Sequence, residues 1–182
     1  MKRILCILLL GLCGCAQIPK GVVAVAGFDV QRYLGTWYEI ARLDHSFERG
    51  LINVSATYSL NDNGSLRVVN RGFDPKRNRW KQVVGRAYFV SRPDIGRLKV
   101  SFFRPFYGGY NILDLDEQNY SYVLLCGNKR SYLWILAREP KLAETVKASL
   151  IQKAKKLGFD TDALIYVQQK NMGDKQNTSG GT

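Results

Sequence analysis

Side chains able to act as nucleophiles, general bases or metal ligands are scarce in this chain. The 182 residues include one histidine, His45, and four cysteines, of which only Cys126 lies beyond the first 15 residues. Catalysis would need a nucleophile beside a base, a carboxylate pair or a metal cluster, and no such pattern is evident. We therefore predict that the protein is not an enzyme and uses no metal or cofactor. We place His45 in a surface loop and Cys126 in a buried strand.

Another cysteine stands at the end of an apolar N-terminal segment. Lys2 and Arg3 precede "ILCILLLGLCG", a run that is too short to span a bilayer and is typical of an export signal. Its end, "LCGC" (12–15), resembles the lipobox of bacterial lipoproteins, in which the last cysteine is acylated and becomes the new N-terminus. The resemblance predicts that Cys15 attaches the protein to a membrane. The alternative is an ordinary cleaved signal with incidental cysteines.

The predicted anchor also sets the domain boundaries and the location. We expect residues 1–14 to be removed, 15–26 to form a lipidated linker, 27–170 to form one domain, and 171–182 to be a disordered polar tail. Ala16 follows the anchor, where an aspartate would retain an enteric lipoprotein at the inner membrane. The expected location is therefore the outer membrane, facing the periplasm.

The mature chain would be basic and free of internal disulfides. Removing residues 1–14 leaves 25 basic and 15 acidic residues, and Cys126 has no partner in the globular part. Such a charge is compatible with nucleic acid, but no helix-turn-helix, finger or basic repeat is present. An exported, anchored chain meets anionic lipid headgroups first, so we predict no nucleic-acid partner.

Most of the domain consists of short runs of β-branched and aromatic residues. Eight such runs predict strands, namely "WYEIARL", "NVSATYSL", "LRVVNRGF", "QVVGRAYFV", "LKVSFF", "YNILDL", "YSYVLLC" and "YLWILAR". Turn-forming segments separate them, including "NDNG" (61–64), "DPKRN" (74–78) and "FYGG" (106–109). Consecutive strands joined so tightly should pair as antiparallel neighbours. Only the connection at 44–52 is long, and it is our candidate lid over a site.

A helical pattern follows the strands. Five apolar residues recur at helical spacing between Pro140 and Gly158, which are Leu142, Val146, Leu150, Ala154 and Leu157. The lysines between them (Lys147, Lys153, Lys155 and Lys156) should form a solvated face. A short strand in "ALIYVQQ" (163–169) completes the predicted domain.

Side-chain alternation in the first strand favours a closed barrel over a two-layer sandwich. Alternation sends Trp37, Glu39 and Ala41 to one side and Tyr38, Ile40 and Arg42 to the other, so neither side is wholly apolar. Eight antiparallel strands can close into an up-and-down barrel whose interior holds side chains or one small ligand. The predicted fold is all-β, an eight-stranded antiparallel barrel with one C-terminal helix and a short extra strand.

Several longer motifs resemble one family. The G-x-W of Gly35 to Trp37, the runs "GTWYEIARLDHSFERG", "KVSFFRPFYGGYNILDLD" and "YLWILAREP", and the lipobox are similar to bacterial outer-membrane lipocalins related to apolipoprotein D. The resemblance implies that Arg138 stacks over Trp37 at the barrel floor, where Gly35 allows a close crossing. The family's usual T-D-Y motif is "LDEQNY" here, and the disulfides of vertebrate members are absent.

The lumen-facing side of this barrel should be largely apolar and aromatic. The candidate ligand contacts are Tyr58, Asn70, Phe89, Phe102, Tyr107, Tyr110, Tyr132, Trp134 and Leu136. Such a lining suits an acyl chain whose polar end stays at the mouth. The same residues could instead pack a closed core.

Three functions remain open at this point. The family resemblance implies binding, storage or transport of fatty acids or lysophospholipids for maintenance of the envelope. A purely structural envelope lipoprotein with a filled barrel is one alternative, and a carrier of another small hydrophobic molecule is the other. The expected partners are a lipid ligand and the membrane, and the sequence is compatible with a monomer or a homodimer.

Overall fold

The computed structural model describes residues 17–170. The predicted signal segment 1–14, the predicted lipidation site Cys15, and the tail 171–182 lie outside the described residues. None of the helices in 17–170 is long and apolar enough to cross a membrane.

Eight antiparallel strands close into an up-and-down barrel, which confirms the predicted fold class. The barrel strands are β1 (Gly35–Arg42), β2 (Ile52–Leu60), β3 (Leu66–Asp74), β4 (Arg79–Phe89), β5 (Arg97–Phe103), β6 (Phe106–Leu115), β7 (Tyr122–Cys126) and β8 (Leu133–Ala137). The other elements are α1 (Val30–Tyr33), α2 (Glu144–Lys156), a 3₁₀ turn (Thr161–Ala163) and the short extra strand β9 (Ile165–Tyr166).

Strand β1 closes the barrel because it pairs with both β8 and β2. Its pairing with β2 is confined to Gly35–Tyr38, and its second half pairs with β9 instead. The gap that opens between β1 and β2 is bridged by Gln169, whose side-chain amide donates to the carbonyl oxygens of Glu39 and Val54 at 2.8 and 2.9 Å. Strand β9 and the residues that follow it thus complete the wall near the open end.

The segment "FYGG" (106–109), expected to be a turn, is part of β6. The turn between β5 and β6 is Arg104–Pro105, and the glycines lie within the strand. A Cβ added at Gly109 would lie 2.9 Å from the carbonyl oxygen of Gln17. The glycine is therefore explained by the close approach of another backbone segment.

Helix α2 packs on the outside of the barrel through the apolar face that the sequence predicts. Leu150 and Ala154 are buried against the outward side chains of the wall, and Leu142, Val146 and Leu157 pack beside them. Lys153, Lys155 and Lys156 are exposed, as expected, whereas Lys147 is half-buried and pairs with Glu144 at 2.7 Å. Lys153 also reaches Asp114 on β6 at 2.8 Å.

Residues 17–28, most of them expected to be a linker, lie along the barrel wall. Val22 is buried among the outward-facing side chains of the wall and the apolar face of α2, which we call the outer cluster. Val25 donates to the carbonyl of Ile112 at 2.9 Å and accepts from Gly96. Phe28 and the one-turn helix α1 then cover the end of the barrel opposite the long loop. The Asp29 side chain caps the N-terminus of α1. An aspartate at this position is a helix-start signal that could have predicted α1 from the sequence.

The barrel floor is a stack of Tyr33, Trp37 and Arg138. The Arg138 guanidinium carbon lies 4.0 Å from the Trp37 ring centre, as the family resemblance implied. Tyr33 stacks on the other side of Trp37 at 4.7 Å, and the Trp37 indole donates to the Tyr33 carbonyl at 2.9 Å. Gly35 has φ +95°, and a Cβ there would lie 3.2 Å from Arg138 Nη1, so glycine satisfies both requirements.

Cys126 is fully buried at the end of β7 and is a free thiol. Burial raises its pKa to about 12, so it is not a reactive thiolate at neutral pH. Its expected place in a buried strand is confirmed.

The floor stack generates a stability prediction. Trp37→Ala should lower the free energy of unfolding by about 3–5 kcal/mol, as a large core truncation does. Arg138→Ala should lower it by about 1–3 kcal/mol, because it leaves carbonyl oxygens without donors. Since the two side chains touch, the double variant should lose less than the sum of the single losses. Urea unfolding of all four proteins measures this coupling.

Lys141→Ala serves as the control for that cycle, because its side chain is exposed beyond the floor. It should leave the unfolding free energy unchanged and add independently to Trp37→Ala. Strict additivity between Trp37→Ala and Arg138→Ala would contradict the stack as a stabilising contact.

Candidate ligand-binding site

An internal cavity of about 400 Å³ extends from the floor aromatics to the loop between β1 and β2. Inward side chains from all eight strands line it, and most of them are apolar. This loop, residues 43–51, contributes Phe47 and Glu48 to the cavity wall. The candidate lid therefore lies over the open end of the barrel.

Eight of the nine predicted ligand contacts line this cavity, namely Tyr58, Asn70, Phe102, Tyr107, Tyr110, Tyr132, Trp134 and Leu136. The ninth, Phe89, lies beyond the cavity wall. It packs against Phe28, with the ring centres 6.3 Å apart, in the core at the closed end. The sequence pattern did not predict that the N-terminal segment places Phe28 inside the barrel.

Three tyrosine hydroxyls meet at the lower part of the cavity. The Tyr110 hydroxyl lies 2.6 Å from that of Tyr33 and 2.8 Å from that of Tyr58. Burial raises the pKa of all three side chains, so they remain neutral. Mutual hydrogen bonding lets these polar groups lie within the mostly apolar wall at low cost.

Asn70 contributes a different kind of polar group. Its side-chain oxygen is buried at the cavity wall and accepts no hydrogen bond from any residue in 17–170. An unpaired buried acceptor costs free energy that a hydroxyl or amide of a bound molecule would recover. Asn70 is thus suited to contact a polar group of a ligand.

A β-bulge in β1 changes which side chains face inward. The register against β8 shifts between Glu39 and Ala41, so Ala41 joins the outer cluster and Arg42 turns to the interior. Arg42 is 1% exposed and its Nη1 donates to Glu39 Oε1 at 2.7 Å. The simple alternation predicted for Ala41 and Arg42 is therefore wrong, because a bulge adds one residue to the repeat.

His45 is buried, which corrects its expected place on the surface of the loop. Its ring stacks on Phe47 with the centres 3.9 Å apart, and its Nε2 lies 3.1 Å from Glu48 Oε2. Trp134 donates to the same carboxylate oxygen at 3.2 Å, and Arg42 donates to the Glu48 backbone carbonyl at 2.9 Å. The loop folds back on itself around these contacts.

The two carboxyl groups in this mouth cluster (Glu39, Arg42, His45 and Glu48) have pKa values shifted in opposite directions. Burial, together with the nearby charge of Glu48, raises the pKa of Glu39 well above its usual range. Burial alone would also raise the pKa of Glu48, but the approach of His45 and Trp134 holds it below its usual value. Glu39 therefore keeps its proton to a higher pH than Glu48 does, although it accepts the hydrogen bond from Arg42, whereas Glu48 contacts Arg42 through its backbone carbonyl.

Comparison with known proteins decides the family. A family model described as a lipocalin-like domain matches residues 28–169. The chain belongs to the lipocalin family. This lipocalin is 53% identical over 157 residues to the outer membrane lipoprotein Blc of Escherichia coli strain K12, covering 86% of this chain and 88% of that one. It is 34% identical over 154 residues to apolipoprotein D of Mus musculus, covering 81% and 80%.

Solved structures agree on the fold. The crystal structure of the cockroach allergen Per a 4 superposes with a TM-score of 0.66 at 21% identity, covering 85% of this chain and 96% of that one. The resemblance found in the sequence is thus confirmed. Lipocalins are binding and transport proteins, so this lipocalin is not an enzyme.

Sequence reasoning missed several residues that shape the site. Tyr33 was missed because it comes from α1 rather than a strand, and Arg42 because the bulge leaves no clear sequence mark. Glu48 was counted only as part of the loop. Its position three residues after His45, in a loop already identified as long, was the available signal.

The mouth cluster generates opposite pH predictions for its carboxyl groups. The raised pKa of Glu39 means that ionising it destabilises the fold, so the free energy of unfolding should fall as the pH rises above about 4.3. Glu39→Gln should remove that fall and match or exceed the parent stability at pH 8. Denaturant unfolding from pH 4 to 9 measures both.

Glu48→Gln is the matched comparison. Its lowered pKa stabilises the fold above about pH 4.3 and loses that effect as the pH falls through the folded-state value. The variant should be about 1–3 kcal/mol less stable at pH 7, and the difference should shrink in acid. If both variants shift stability in the same direction at pH 8, the opposite pKa directions of Glu39 and Glu48 are wrong.

Proposed function

We propose that this lipocalin binds, stores or transports single-chain lipids, fatty acids or lysophospholipids, for maintenance of the cell envelope. The observation that carries the proposal is a cavity of about 400 Å³ with a mostly apolar wall, which reaches from the floor aromatics to the long loop, where Glu39 and Glu48 add charged groups. The acyl tail would lie toward the floor above Trp37. The polar end would stay near Tyr107 and the loop 44–52.

We further propose that acylated Cys15 attaches the protein to the outer membrane, facing the periplasm. The lipobox-like "LCGC" supports this, as does the name of the E. coli relative, an outer membrane lipoprotein that shares 53% identity over 157 residues. Several acyl chains at about 0.8 kcal/mol per buried methylene would make the attachment stable.

The alternative functions are less well supported. A filled structural barrel would leave no cavity, whereas the aromatic side chains here leave about 400 Å³ open. A carrier of haem or of a metal complex needs metal-ligating side chains on the cavity wall. Among the described residues that wall contains neither histidine nor methionine, and His45 lies behind Glu48.

Chain length tests the lipid proposal. Affinity should rise roughly fourfold per methylene, from about 0.8 kcal/mol each, until the tail reaches the floor, and then fall. Titration of a fatty-acid and lysophospholipid series against tryptophan fluorescence should give one site per barrel. The measurement uses a Trp80→Phe background, since Trp80 lies outside the barrel and would add unrelated emission.

Matched variants locate the ligand. Trp134→Ala and Tyr107→Ala should both weaken binding, because both side chains line the cavity. Tyr166→Ala should not, because that exposed ring lies on β9 outside the wall. An affinity independent of chain length, or equal losses for all three variants, would refute the lumen as the lipid site.

Membrane fractionation tests the anchor. Cys15→Ser should leave the protein unprocessed or release it from the outer-membrane fraction, because no acylated thiol remains. Cys13→Ser is the control, since that residue would be removed with the signal. An acylated outer-membrane pool of unchanged size in Cys15→Ser would contradict the assignment.

A further inference from the structure

The segment that leads to the proposed anchor begins at the open end of the barrel. The Gln17 carbonyl oxygen lies close to Gly109, since a Cβ added there would be 2.9 Å from it. The same Cβ would lie 3.1 Å from the backbone nitrogen of Asn128, in the open-end loop between β7 and β8. Arg130 in the same loop donates to the Lys20 carbonyl at 2.7 Å. From there the chain descends the wall to Phe28 at the floor.

The distance from this point to the anchor is short. Cys15 precedes Gln17 by two residues. Two residues of fully extended chain span at most about 7 Å. An acyl group on Cys15 would therefore sit beside the mouth of the barrel and far from its floor.

The mouth also carries the most exposed aromatic side chains among the described residues. Phe103 and Phe106 flank the turn between β5 and β6 and are each 74% exposed, and Phe47 in the long loop is 58% exposed. All three border the cavity entrance. Clustered exposed aromatics at one end of a barrel mark a surface that meets an apolar partner.

The two ends of the barrel differ in charge. The open-end loops (43–51, 75–78, 104–105 and 127–132) carry two acidic residues, Asp44 and the buried Glu48, and six basic residues, which are Arg49, Lys76, Arg77, Arg104, Lys129 and Arg130. The closed-end loops (61–65, 90–96, 116–121 and 138–143) carry five acidic and three basic residues. An anionic lipid surface would attract the mouth and repel the floor.

We propose that the mouth of the barrel rests on the same leaflet that holds acylated Cys15. Phe47, Phe103 and Phe106 enter the interfacial region, and the basic residues of the open-end loops face anionic headgroups. The cavity then opens directly into the leaflet, so a single-chain lipid passes between membrane and lumen without crossing water. This orientation rests on the proposed lipid anchor.

Two variants of the acylated mature protein, each with one added cysteine, test the orientation. Ser46→Cys places a thiol at the mouth and Ser91→Cys places one at the floor, and both positions are exposed. Cys126 is buried and stays unlabelled, and the Cys15 thiol is blocked by its acyl group. Each variant is labelled with the fluorophore NBD and reconstituted into vesicles of phosphatidylethanolamine and phosphatidylglycerol at about 3:1.

At the mouth, the label should shift to the blue and be quenched at least threefold more by nitroxide-labelled lipid than the label at the floor. Adding Phe103→Ser and Phe106→Ser should reduce that quenching. The matched pair Leu60→Ser and Val90→Ser should leave it unchanged, because those exposed residues lie at the closed end. Equal quenching at both positions, stronger quenching at the floor, or no quenching at either would overturn the proposal.

The experiment also separates this proposal from the proposed function. The label needs no ligand, so quenching at the mouth in a protein that takes up no fatty acid would refute lipid binding alone. Fatty-acid binding with an unquenched mouth would refute the orientation alone. Mass spectrometry of the starting protein reports the acyl group, and a mature chain without it would remove the basis of the orientation.

Discussion

The guanidinium of Arg138 holds together the closed end of the barrel. It lies over the Trp37 ring and donates to the carbonyl oxygens of Thr36, Arg32 and Tyr120, which belong to β1, α1 and the loop before β7. A cation shared by a ring and three backbone segments fixes their positions together. The open cavity begins directly above this closed floor.

The charged residues that line the cavity lie at the other end of the barrel. Arg42 is buried beneath the long loop together with Glu39 and Glu48, and such a cluster is tolerated only when its hydrogen bonds are nearly complete. The Arg42 Nε and His45 Nδ1 atoms nevertheless have no hydrogen-bond partner within residues 17–170. A partly satisfied polar cluster under a loop contributes less to local stability than an apolar core does.

The barrel is therefore polarised along its axis. Its floor is aromatic and rigid, and its outer loops there are mildly acidic. Its mouth combines exposed phenylalanines with basic residues, and the N-terminal segment begins beside it at Gln17. Residues 17–28 run from the mouth to the floor, where Phe28 is buried. The same segment therefore covers the closed end and connects the barrel to the proposed anchor.

The sequence by itself determined the strand order, α2, the floor pair of Trp37 and Arg138, and most of the cavity wall. Those features follow from local periodicity and turn chemistry, or from motifs shared with a family. Only the tertiary structure decided that Arg42 faces inward, that His45 is buried, and that Phe28 rather than a ligand covers Phe89. Each of these depends on contacts between segments distant in the chain or on a one-residue bulge, and neither leaves a periodic trace in the sequence.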